Sequence, residues 1–81
     1  QDVIVLGNPF SDQINIHFAK IPGDKVAVSI YDMKGSLIAK YIFNELTSDY
    51  RINIGDLFSG IYIIEVQNNK GNTVSKKLII E

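Results

Sequence analysis

The chain has no cysteine and no tryptophan, two prolines, one histidine and one methionine. Without cysteine there is no disulfide, no thiol nucleophile and no thiolate zinc site. No apolar run approaches the roughly 18 residues of a membrane-spanning helix, and no stretch reads as a signal peptide, so membrane insertion is not expected. Neither sign of charge dominates: eight basic and nine acidic residues leave a net charge of −1. That balance offers no electrostatic reason to expect nucleic acid. Apolar periodicity of helical spacing is also missing over any ten residues.

What remains is a globular composition, 46% apolar and 21% charged, which is not that of a disordered chain. Eighty-one residues predict a single domain over 1–81. A chain of this size buries only about 60–65% of its unfolded surface, which leaves little room for a deep cleft. It opens on Gln1 without a methionine, which suggests a piece of a longer precursor.

The last twenty-two residues, GIYIIEVQNNKGNTVSKKLIIE, predict a hairpin. Tyr62, Ile64 and Val66 share one face of the first strand, Glu65 and Gln67 the other; Val74, Lys76, Leu78 and Ile80 alternate with Ser75, Lys77 and Ile79 in the second. Asn68 to Gly71 has the chemistry of a type I turn followed by a glycine with positive φ. The chain stops one residue after its last apolar position, so this end is expected to be packed, paired or held for a partner.

Upstream, Asp2–Leu6 is a short apolar run closed by Gly7-Asn8-Pro9-Phe10, where proline ends the ladder. Gln13–Phe18 alternates with Ile14, Ile16 and Phe18 inward. Ile21-Pro22-Gly23-Asp24 reads as a type II turn with Gly23 at positive φ. Lys25–Tyr31 places Val26, Val28 and Ile30 on one face. Asp32-Met33-Lys34-Gly35 repeats the turn chemistry of Asn68–Gly71. Ser36–Phe43 is apolar enough to be expected to be covered on both faces. Asp49–Ile54 carries Tyr50, Ile52 and Ile54 inward, and Leu57 is expected to plug the end of the core. Seven short strands with turn signals between them predict an all-β, antiparallel β-sandwich.

Candidate chemistry is sparse. His17 lies on a polar strand face and reads as a solvated residue, not a base or ligand. The aspartates at 12, 24, 32, 49 and 56 sit in or beside turns, where backbone hydrogen bonding explains them. No calcium-binding loop, nucleophile elbow or phosphate-cradling glycine loop is present. The four tyrosines and four phenylalanines read as core packing in preference to a sugar platform. Lys76 and Lys77, on opposite faces of the last strand, read first as guards against edge pairing and second as a basic recognition point. Nothing here expects an enzyme, a metal or a cofactor.

Three motifs nevertheless occur in order. Asn8-Pro9-Phe10-Ser11 precedes Ile14 and Ile16; a hydrophobic strand, Val28–Tyr31, ends in Asp32 and a turn at Gly35; and Leu57, Gly60, Tyr62, Val66, Gly71, Lys76 and Lys77 follow. Together they resemble the type A C-terminal sorting domain of the type IX (Por) secretion system over about residues 6 to 81. One departure is Ser36, where the family often has arginine. The resemblance implies an immunoglobulin-like sandwich at the end of an exported protein. The cargo lies N-terminal to it, reaches the periplasm by an ordinary signal peptide, and crosses the outer membrane to the cell surface or beyond. The type IX machinery would be its partner, and in many members a sortase-like peptidase removes the domain. By the same resemblance Gly60, Tyr62, Gly71, Lys76 and Lys77 would carry recognition, with the last strand read by strand addition. Asn8, Pro9, Phe10, Asp32, Gly35 and Leu57 would be structural. The alternative is a carbohydrate-binding or fibronectin-III-like accessory module of a secreted hydrolase.

Overall fold

The computed structural model describes residues 3–6, 12–23, 25–68 and 73–80, the first of these by their backbone. Strands β1 (Val3–Leu6), β2 (Gln13–Phe18) and β5 (Asp49–Asn53) form one antiparallel sheet in the order β1-β2-β5. Strands β3 (Val26–Asp32), β4 (Leu37–Phe43), β6 (Gly60–Asn68) and β7 (Thr73–Ile80) form the other, in the order β4-β3-β6-β7. The alternation read from the sequence sets which side chains lie between them, because neighbouring side chains of a strand point to opposite faces. Ile14, Ile16 and Phe18 from one sheet meet Val26, Val28, Ile30, Ile64 and Val66 from the other, all buried. Tyr50, Ile52 and Ile54 complete the first inner face, Leu78 and Ile80 the second. Each fully buried aliphatic side chain contributes about 1.5–3 kcal/mol through burial. Leu57 packs against the rim of this core, as expected.

Ring contacts close one end. Phe18 meets Tyr50 edge-on with centroids 5.7 Å apart, and Phe43 lies 5.0 Å from the same ring. Two backbone bonds prolong the β2–β5 pairing beyond its strands: Phe18 N–H donates to Ser48 O at 2.7 Å, and Ile54 N–H to Asp12 O at 2.8 Å.

Two expectations are corrected. Gly23 has no positive φ, so it does not take the left-handed position that the expected type II turn requires. Pro22 is buried there, and a proline anchored by packing fixes the path of the chain without needing a left-handed glycine. Strand β4 is covered on one face only. It lies at the edge of its sheet, with Leu37, Ile38 and Ile42 exposed and Ala39, Tyr41 and Phe43 half-buried against the core. A continuous apolar run does not reveal sheet order, and among the described residues no second layer lies over the outer face of this strand. The motif residues Asn8, Pro9 and Phe10, and the turn through Gly71, lie outside the described residues.

The C-terminal hairpin as candidate recognition site

The site is built from the β3–β4 turn, the β5–β6 connection and the β6–β7 hairpin. At the first, Asp32 is the hub. Its Oδ1 accepts the backbone N–H groups of Lys34 and Ser36, each at 2.9 Å. Gly35 N–H donates to Asp32 O at 3.1 Å, and Asp32 N–H to Ser36 O at 3.0 Å. Gly35 sits at φ 87°, in the left-handed region that glycine enters without the clash of a Cβ. The register then slips between Ile30 and Tyr31, whose β4 partners are Ala39 and Leu37, so Ile38 is the extra residue of a β-bulge. Asp32 and Gly35 are thus the turn itself.

The β5–β6 connection is equally local. Asn53 Oδ1 accepts Gly55 N–H at 3.1 Å, and Ile54 O accepts Leu57 N–H at 3.0 Å, which turns Leu57 toward the core. Tyr62 lies buried near the start of β6, and its hydroxyl donates back to Phe58 O at 2.7 Å. This is the tyrosine corner of immunoglobulin-like sandwiches, in which a tyrosine clips the inter-sheet crossing to the following strand. Tyr50 makes the same kind of bond to Glu45 O at the start of β5. Leu57, Gly60 and Tyr62 therefore form one unit. Leu57 seats the connection, Gly60 opens β6 opposite Ile80, and Tyr62 locks the corner. With its ring in the core and its hydroxyl bonded to the chain's own backbone, Tyr62 is part of the framework of the sandwich.

The hairpin presents the lysines. Lys76 stands opposite Ile64 and Lys77 opposite Ile63, both exposed, on the outermost strand of the sheet. By alternation Lys76 shares the core-facing side of β7 with Val74, Leu78 and Ile80, and it reaches water because β7 has no neighbour beyond it among the described residues. Lys77 points to the outer face, beside the half-buried Ile63 and the exposed Ile79. The strand therefore carries one ammonium on each side. Gly60, Tyr62, Lys76 and Lys77 come together in one hairpin, while Gly71 belongs to its undescribed turn.

One contact was invisible in the sequence. His17 and Asp49 are register partners across β2 and β5, and His17 Nδ1 lies 2.8 Å from Asp49 Oδ1. Ser48 Oγ donates to the other carboxylate oxygen at 2.8 Å. The hydrogen bond from His17 first, and that from Ser48 second, hold the Asp49 carboxyl below its ordinary value. This is not a nucleophilic triad, because the serine hydroxyl is turned to the carboxylate and not to the imidazole. The only sequence signal for the pair was the outward phase of His17. Finding its partner requires the strand register.

Comparison with known proteins agrees with this architecture. A family model described as the secretion system C-terminal sorting domain matches residues 5–81. An endo-acting ulvan lyase of Formosa agariphila is 39% identical over 80 residues, 99% of this chain, which spans 15% of the lyase's length. Among solved structures, a DUF3244 family protein with an immunoglobulin-like β-sandwich fold from Bacteroides vulgatus superposes with a TM-score of 0.81. Its identity is 17%, with 99% of this chain and 85% of that one covered. CopC from Methylosinus trichosporium OB3b superposes with a TM-score of 0.62 at 14% identity, covering 96% and 90%. At such identities these two likenesses speak to the fold alone.

Proposed function

The chain belongs to the secretion system C-terminal sorting domains, and from that premise we propose that its signal is read at the Lys76–Lys77 pair of β7. As a type IX sorting domain it directs an attached cargo across the outer membrane to the cell surface or the extracellular space. The observation that carries the finer reading is the division of labour among the motif residues. Asp32, Gly35, Leu57, Gly60 and Tyr62 belong to turns, a corner and the core, and the two lysines stand on opposite faces of an edge strand, both exposed to solvent. A rigid edge with paired cations suits a partner surface that offers carboxylates to both faces of the strand.

Residues 1–81 would be one folded unit, carried at the C-terminus of an N-terminal cargo for which the ulvan lyase is the precedent of a catalytic one. The sandwich itself would catalyse nothing, and a sortase-like peptidase would be a second partner that removes it. A sugar-binding role is not favoured: Tyr50 and Tyr62 are core residues with their hydroxyls committed, which leaves them no stacking face for a polysaccharide.

The test is export. A periplasm-targeted fluorescent protein fused to Gln1–Glu81 is expressed in a bacterium with an intact type IX system, beside a Lys76→Ala/Lys77→Ala version. Both are checked for folding by circular dichroism. Export of the first and periplasmic retention of a folded second is the expected result. Export of both would sink the lysine readout and leave the lysines as edge guards. Retention of both would sink the sorting role. Truncating Leu78–Glu81 is a poorer test, since Leu78 and Ile80 are core side chains and their loss would unfold the sandwich.

A further inference from the structure

The two edges of the four-stranded sheet are unlike. On β7, Lys76 occupies a core-facing position, and a charge pointing inward at an edge opposes any strand that would extend the sheet there. On β4 no such device exists. Its sequence, LIAKYIF, has no proline and a single charge, Lys40. By register Lys40 lies opposite Ser29, on the outer face and not the inner one. The bulge at Ile38 disturbs only the first residues, because Ala39–Phe43 run in unbroken register with Ile30–Val26. Leu37, Ile38 and Ile42 are 53%, 42% and 59% exposed, so the strand offers aliphatic surface together with an unpaired row of backbone groups.

The charged residues that line this edge, among those described, are Lys25 and Lys40. A shallow, open depression of about 260 Å³ lies on the same face, and its lining includes Lys25, Ala27, Lys40, Ile42, Gln67 and Asn68. Among the described residues no carboxylate lines it. Glu65, the acidic residue of that face, stands one strand further in, across Ser29 from Lys40. A strand laid along β4 would set its side chains against Ile42, then Lys40, then the Leu37–Ile38 pair. The complementary pattern is aliphatic, acidic, aliphatic at every second residue. A second copy of the chain fits less well, since antiparallel pairing about the strand's midpoint sets Lys40 against Lys40.

We propose that β4 is a strand-accepting edge, and that its occupant is an extended segment of another protein carrying an acidic side chain flanked two residues away by aliphatic ones. This inference is independent of how β7 is read, and its test involves no export.

The test titrates the 81-residue chain with millimolar acetyl-Thr-Val-Thr-Glu-Thr-Val-Thr-amide and follows backbone amide shifts by NMR. Its counterpart with lysine in place of glutamate is run in parallel, and both are repeated on Lys40→Glu, a change at an exposed site. The expected result is a set of shifts centred on Ala39–Phe43. Binding should be about two- to five-fold weaker for the lysine peptide, with the preference reversed in the variant. The proposal is overturned by an absence of shifts, by shifts centred on β7, or by equal binding of the two peptides. It is also overturned if the β4 shifts follow protein concentration without peptide, which would make a second copy the occupant.

Discussion

Asp32 and Tyr62 are register partners across β3 and β6, and Leu78 continues the same row on β7. Two separate motifs therefore converge on one transverse line of the sheet. At one end of it Asp32 organises the β3–β4 turn, and in the middle Tyr62 clips the corner into β6. The row couples the turn, the corner and the last strand into one framework.

At the tyrosine corner, Tyr62→Phe keeps the ring in the core and removes only the donor to Phe58 O. The expected loss is about 0.5–1.5 kcal/mol, read from the urea midpoint at unchanged slope. A folded Tyr62→Phe domain should still direct export, since the hydroxyl faces the protein's own backbone.

At the β3–β4 turn, Gly35→Ala forces a Cβ into φ 87° with no steric neighbour to aggravate it. The cost should be the left-handed backbone term alone, about 1–2 kcal/mol by chemical denaturation. Gly35→Asn should cost less, because asparagine tolerates that region better than alanine does.

The pair on β2 and β5 predicts an acid limb. Asp49 has its pKa lowered in the folded state by His17 and Ser48, from an ordinary 3.8. A depressed carboxylate stabilises the fold above its unfolded pKa, and that contribution fades as pH falls through 3.8 toward the folded value. Melting temperatures of the native chain and Asp49→Asn should therefore differ at pH 5–6, in the range where the carboxylate is ionised in both states. The two should converge below the folded pKa. Parallel melting curves across the whole range would refute the linkage.

Lys76→Val would place an apolar side chain at the one core-facing charge of β7. The domain should stay folded and begin to self-associate with rising concentration, as seen by analytical ultracentrifugation. Lys77→Val, on the outer face, should shift that equilibrium less.

Much of this architecture was legible in the sequence. The period-two stretches Gln13–Phe18, Asp49–Ile54 and Tyr62–Val66 have one wet face, and a wet face announces itself by alternation. The turn at Asp32–Gly35 was readable because a short-range hydrogen bond and a left-handed glycine leave their residue types behind. The exposure of strand β4 is not legible in this way, since its apolar run looks the same whether a second layer covers it or not. Sheet order decides that, and order depends on contacts distant in the chain. The His17–Asp49 pair was hidden for the same reason, and Gly23 misled because proline followed by glycine fits more than one turn. Among the site residues, the sequence marked Tyr62 and Lys76 alike. Only burial separates the corner from the surface.

The place of β7 in the sandwich also sets an order in time. Synthesis proceeds from the amino end, so β1 to β6 exist as chain before Leu78 and Ile80 do. Until those two arrive, the core has an open flank beside Tyr62 and Ile64, and the last strand acts as a latch. A ribosome or a translocation pore holding that strand extended would hold the whole domain short of its native state.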